Sequence, residues 1–217
     1  MASDPKADLH RYLKAARQTM LWKIDGLSEY DARRPLTPTG TNLLGLIKHL
    51  ASCEQGYFGA CMGRPFPETL PWLDDEDNNP NADMYATADE TREDILSLYA
   101  RVASFSDAVI SELPLDAPGV VPWWPEERKY VTLHVLLVHL IAETNRHAGH
   151  ADILRESLDG EAGLRAEASN LPELDWAEYR DRVEKAARQA AERQAAVQEL
   201  GITADRGGGA IDTADHG

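Results

Sequence analysis

The stretch TLHVLLVHLIAETNRHAGHADILRESL (132–158) decides how this chain folds. At 100° per residue, Leu133, Leu136, Leu137, Leu140, Thr144, Ala148, Ala151, Leu154 and Leu158 share one arc, the stripe of a helix that faces a core. His147 falls inside that arc and Glu143 on its edge. A carboxylate and an imidazole one turn apart on such a stripe are costly unless something pairs them.

Helices of matching length flank this one in sequence. PKADLHRYLKAARQTMLWKIDGL (5–27) carries Leu9, Leu13, Ala16, Met20 and Ile24 at helical spacing, and Gly26 marks its end. After the Pro/Thr-rich connector 28–41, Thr41 or Asn42 caps a second helix, NLLGLIKHLASCEQGYFGACMG (42–63), which Gly63-Arg64-Pro65 stops. Residues 66–87 are acidic and rich in Pro and Asn, a loop long enough to suggest function. A third helix follows over 88–113, with Thr87 or Asp89 as its cap and Pro114 beyond its end. Loop 114–131 carries Trp123 and Trp124 between prolines, and leads into the opening stretch. A very polar fifth helix covers 172–200, and the Gly/Asp-rich end from Gly201 lacks any core-forming pattern. With no alternating strand signal, the expectation is an all-α, four-helix bundle with an appended C-terminal helix. Residues 1–200 are expected to form a single domain, and 201–217 a disordered tail.

Charge narrows the function. The chain has 217 residues and a formal net charge of −15, which argues against nucleic acid and against anionic membrane surfaces. No stretch approaches the ~20 apolar residues that span a bilayer, and the N-terminus lacks the apolar core of a signal peptide. Cys53 and Cys61 stand roughly 12 Å apart along one helix axis, too far for a disulfide within it. A reducing, cytoplasmic setting is expected.

The chemistry concentrates on the opening helix. His139, Glu143 and His147 follow at i, i+4 steps, and His150 at i+3, so Glu143 and His147 can offer two ligands to one ion. A lone histidine on an apolar face is usually a core residue with a backbone partner; here three imidazoles and a glutamate cluster. The spacing is not that of the zinc peptidases, where a Glu directly follows the first His. His139 and His150 lie about 20–40° further out, placed for solvent-facing or ligand-supporting roles. On the second helix, His49 flanks the apolar arc and is a candidate third ligand. His49, Glu143 and His147 would make a two-nitrogen, one-oxygen site that suits zinc with water, or nickel, manganese or iron. Cys53 is a competing thiolate, though free Cys is commonly core filler. Glu54, near the centre of the same arc, is either a buried salt-bridge partner or a catalytic acid that orients a ligand or moves a proton.

With these residues in view, the sequence resembles the DinB-like superfamily of metal-dependent bundles, in the branch with mycothiol-dependent S-transferases. The resemblance rests on RRPLTPTGTNLLGLIKHLASCEQGYFG (33–59), ATADETREDILSLYARV (86–102), VPWWPEERKYVTLHVLLVHLIAETNRHAGHADILRESLDG (121–160) and WAEYRDRVEKAA (176–187). It implies an up-down-down-up bundle with a three-ligand metal at one end. Where many relatives carry His on the fourth helix, this chain has Glu143. That matches the His/Glu/His set of mycothiol-dependent maleylpyruvate isomerase and implies His49, Glu143 and His147 as ligands. The isomerase also uses a C-terminal domain carrying substrate arginines; only one helix and a tail are expected in that place here, so isomerisation is not implied.

The implied function is a metal-dependent thiol S-transferase of detoxification type. It would hold mycothiol as a metal-bound thiolate and transfer it to a small electrophile. Trp72, Met84, Trp123 and Trp124 are candidates for an apolar wall or for packing the bundle ends. Asn145, Arg146, Asp152 and His150, with Trp72, are candidates for binding the thiol. The alternatives are a metal-dependent hydrolase, with Glu54 or an imidazole as base, and a non-catalytic metal-stabilised bundle. Members of the family are often dimers, so a homodimer is a further expectation.

Overall fold

The computed structural model describes residues 4–74 and 79–199, so the expected tail lies outside the described residues. Four long helices carry the fold: α1 (Pro5–Trp22), α3 (Leu43–Glu54), α5 (Arg92–Glu112) and α6 (Leu133–Asp159). Two short helices, α2 (Glu29–Arg33) and α4 (Pro71–Asp74), lie in the connectors, and α7 (Trp176–Glu199) follows the bundle. The chain divides into two compact units, Met1–Asn170 and Leu171–Gly217.

The long bundle helices start where a short polar side chain can take up a free backbone N–H. Asp4 caps α1 ahead of Pro5, Asn42 caps α3, and Thr132 caps α6. The third long helix begins later than Thr87 or Asp89 would place it. Thr91 and Asp94 form a reciprocal capping box there, while the Glu90 carboxylate accepts from Thr87 N and so closes a separate turn.

The second long helix is regular only to Glu54. It continues as a π-helical turn, Gln55–Gly59, and a 3₁₀ turn, Ala60–Met62, before Gly63 adopts the left-handed conformation (φ +68°). The sequence reading held no strands. Pro118–Val120 (β1) and Tyr130–Thr132 (β2) nevertheless pair antiparallel; at three residues each, they are too short to show alternation.

Ion pairs and core contacts give the helix directions. Arg17 of α1 reaches Glu54 of α3, His49 of α3 faces Glu143 of α6, and Tyr57 meets His139. α3 therefore runs against both α1 and α6. Leu13 shares a core cluster with Leu133, while Met20 shares another with Ala148 and Leu154, so α1 and α6 are parallel. Leu44 with Ile95 and Phe58 with Val109 make α3 and α5 parallel in turn. The order is up-down-down-up, an all-α bundle.

The two apolar clusters fill opposite halves of the bundle, and buried polar groups lie between them. Arg17, Glu54, Ser106 and Thr144 are all buried. The predicted α6 stripe is buried from Leu133 to Leu154, His147 included. α7 has no buried residue among those described, and its i, i+4 pairs such as Arg188–Glu184 match its polar composition.

Candidate metal centre

α3 and α6 cross antiparallel, so four-residue steps on each helix face one another as rungs. His49, Cys53 and Tyr57 ascend one side; His147, Glu143 and His139 descend the other. The His49 and His147 rings stand 4.9 Å apart at one end, and the Tyr57 and His139 rings 4.7 Å apart at the other.

At the first rung, His49, Glu143 and His147 place one ligating atom each within 4.8 Å of the others. His147 Nε2 lies 2.9 Å from Glu143 Oε1, and His49 Nε2 lies 3.7 Å from the same oxygen. Ligands bound about 2.1 Å from a tetrahedral ion stand about 3.4 Å apart; the 3.7 Å contact is near that spacing, while the 2.9 Å contact is a hydrogen bond that an ion would replace. His147 is 6% exposed, and its Nδ1 is buried with no hydrogen-bond partner among the described residues. The nitrogen that faces Glu143 is Nε2, already within hydrogen-bond distance of that carboxylate, and two imidazoles with a carboxylate are the donors that divalent transition ions accept.

His49 is oriented from behind. Its Nδ1 lies 2.7 Å from Asp83 Oδ2, the arrangement by which a carboxylate fixes a ligating imidazole and raises its basicity. Burial alone would pull the His49 pKa down. The hydrogen bonds to Asp83 and to the Cys53 sulfur, 3.4 Å from Nε2, reverse that and carry it to about 10. Burial also pulls Asp83 upward, but the His49 contact holds it below the usual carboxylate range. Glu143 is likewise pushed up by burial and, on balance, held low by His147, Arg146 and His49. His147 is depressed by burial and by the neighbouring His49 charge. Positive charge is thus favoured on the His49 ring, whose Nε2 lies 3.7 Å from Glu143 Oε1.

The loop bearing Asp83 is held firmly. Buried Lys48 donates to Ala82 O and Tyr85 O and pairs with Glu90. Asn42 Nδ2 donates to Met84 O. The loop approaches α3 so closely that a Cβ on Gly45 would collide with the Met84 carbonyl, so Met84 packs a bundle end instead of lining the rungs.

A profile of the mycothiol S-transferase family matches residues 8–160. The chain belongs to the mycothiol S-transferase family. The match begins within α1, covers α3, α5 and α6, and includes His49, Glu143 and His147. A conserved protein of Enterococcus faecalis, known from its crystal structure, has a similar fold (TM-score 0.58, 16% identity, covering 74% of this chain and 100% of that one). No curated protein matches the chain.

For this transferase-family chain, the structure separates the sequence candidates. Glu54 does not join the three ligands. It is 0% exposed, and Arg17 forks it with Nε at 2.8 Å and Nη2 at 2.6 Å, with the Tyr99 hydroxyl at 3.5 Å. Both oxygens are engaged in a buried ion pair, the structural one of the two roles open to it. Trp72 packs over Lys48 and donates to Ser52 Oγ, among core residues. Asp152 accepts from Lys23 and Gly163 N, so it ties α6 to α1. Asn145 and Arg146 are exposed; Asn145 donates to Ile141 O, and Arg146 Nη1 lies 3.8 Å from Glu143 Oε2. His150 is exposed, its ring 5.4 Å from His147.

At the second rung, His139 lies between Tyr57 and Trp124, and Trp123 stands over Tyr57. Burial lowers the His139 pKa. Sequence reasoning passed over Asp83, for which the acidic, Asn-rich loop was the only signal. Cys53, weighed there as a competing thiolate or core filler, has its sulfur 3.4 Å from His49 Nε2.

Proposed function

We propose that this chain is a metal-dependent thiol S-transferase, with His49, Glu143 and His147 as the metal ligands and mycothiol as the thiol. The observation that carries the reading is the convergence of those three side chains, with Asp83 behind His49, in a chain of this family. A divalent ion, with zinc the best match to the donor set, supplies when bound the positive charge that keeps a thiol ionised.

The chain's own residues do the rest. Asp83 holds the His49 ring so that Nε2 faces Glu143. Arg146, Asn145 and His150 border the ligands on the solvent side, and we assign them to the polar parts of the thiol. The Tyr57, Trp123, Trp124 and His139 rings wall the other end of the rungs and receive an apolar electrophile while excluding water. Two free cysteines, Cys53 and Cys61, accord with a reducing cytoplasmic setting.

The test is thiol consumption with a generic electrophile, using metal-loaded protein and protein stripped by chelator. Mycothiol loss that disappears on stripping and returns with zinc is expected. Equal turnover after complete metal removal contradicts the reading. Hydrolysis of an ester without thiol points instead to a hydrolase. A metal-dependent rise in melting temperature with no turnover points to a non-catalytic bundle.

A further inference from the structure

The aromatic rung contains an arrangement that packing does not require. The indole N–H groups of Trp123 and Trp124 both donate to the Tyr57 hydroxyl oxygen, at 3.3 and 3.2 Å. A phenolic oxygen has two acceptor lone pairs and one proton. With both lone pairs engaged, the proton is the only hydrogen-bonding capacity left, and it meets no acceptor among the described residues. Tyr57 is only 9% exposed, so the uncommitted donor is held inside the protein, while the Trp123 ring beside it is 58% exposed.

The backbone is shaped to bring it there. In an α-helix each four-residue step overshoots a full turn by about 40°, so Tyr57 would drift away from the line through His49 and Cys53. The π-helical turn Gln55–Gly59 takes more residues per turn and offsets that drift. It sets the Tyr57 ring against His139, on the helix that carries Glu143 and His147. Insertions of this kind often mark functional positions.

We infer that Tyr57 is a catalytic proton donor at the aromatic end of the α3–α6 rungs, and that the electrophile it serves is an aryl epoxide, its ring against Trp123 and its oxygen at the Tyr57 O–H. The inference rests on the thiol-transfer reading for its nucleophile. In the step, the thiolate sulfur forms a bond to an epoxide carbon and the carbon–oxygen bond breaks. The electron pair moves onto oxygen, and that oxygen takes the Tyr57 proton. Water then reprotonates the phenolate. The product is a hydroxy-thioether, and no oxidant or reductant is needed. The indole N–H groups stabilise the phenolate while it exists.

Two electrophiles separate proton donation from packing. Styrene oxide leaves charge on oxygen and needs the proton; chlorodinitrobenzene releases chloride and does not. With metal-loaded protein and mycothiol, Tyr57→Phe, which keeps the ring and removes only the hydroxyl, is expected to slow the epoxide reaction about 100-fold more than it slows the chlorodinitrobenzene reaction. Equal loss with both substrates, or none with either, overturns the inference. A binding measurement covers the case in which the wild type transfers thiol to neither, which would remove the thiol-transfer reading itself. Para-nitrophenolate, followed by quenching of tryptophan fluorescence, should bind the wild type and bind Tyr57→Phe at least about tenfold more weakly. Equal binding to both proteins, or none to the wild type, overturns the donor role whatever the fate of the transferase reading.

Discussion

Glu54 on α3 and Glu143 on α6 are both carboxylates set against apolar arcs, and their surroundings differ at the nearest atoms. Around Glu54 the charges are matched. Arg17 forks it and also reaches Asp107 at 2.6 Å, while His10 and Lys14 approach Asp107 from α1. Around Glu143 no guanidinium forks the acid. Its neighbours are two imidazoles and the exposed Arg146, whose Nη1 lies 3.8 Å away, and the nearby Asp83 adds a second acid. The first cluster is complete within the protein and holds the bundle's middle together. The second gathers two imidazoles and a carboxylate where an ion could bind. A buried acid therefore signals architecture when a guanidinium engages both its oxygens, and a candidate site when its partners are themselves metal-ligand types.

Breaking the first cluster should have the largest effect. Arg17→Ala strands Glu54 without its counter-charge and should cost about 3–5 kcal/mol, since one member of a buried pair is then left unpaired. Replacing both, Arg17→Met with Glu54→Leu, should recover most of that loss. Denaturant unfolding of the single and double variants measures the difference. A single variant as stable as wild type would mean that the two clusters do not differ in this way.

Gly45→Ala tests how the second cluster is positioned. The added methyl collides with Met84 O, and overpacking of this kind costs about 1–3 kcal/mol. The shift should also draw Asp83 away from His49 and weaken metal binding, as isothermal titration would show. Asp83→Asn is milder. It keeps the fold but removes the charge behind the ligand, and about a 10–100-fold loss of metal affinity is expected.

The smallest effect concerns pH. Burial pushes the Asp107 carboxyl up, but the hydrogen bonds from His10 and Arg17 outweigh it and leave the group below its ordinary range. A folded value depressed below the unfolded value of about 4 contributes stability above that pH and loses it as pH falls through the folded value. Unfolding free energy should therefore decline below about pH 4, and Asp107→Asn should make that decline shallower. An unchanged acid limb in the variant would detach Asp107 from the matched cluster.

These contrasts explain what the sequence could convey. The α6 stripe and the His49, Glu143 and His147 candidates were legible because helical periodicity ties spacing to direction. The partner of Glu54 was not, because Arg17 lies 37 residues away on another helix and no pattern within α3 reveals it. Asp83 was hidden for a different reason: loop residues carry no periodicity, and its position depends on Lys48 and Gly45 fixing the loop against α3. The π-helical turn left no trace either, since Gln55–Gly59 reads as ordinary helix, and with it the position of Tyr57 went unseen.

The most direct test of the central claim is the metal content of wild-type protein purified beside His49→Ala and Glu143→Ala, with Arg17→Lys as a control outside the site. About one divalent ion per chain in the wild type and the control, and almost none in the two ligand variants, is the predicted result. Ligand variants that retain metal as the wild type does, or a wild type that binds none in excess zinc or nickel, would contradict it.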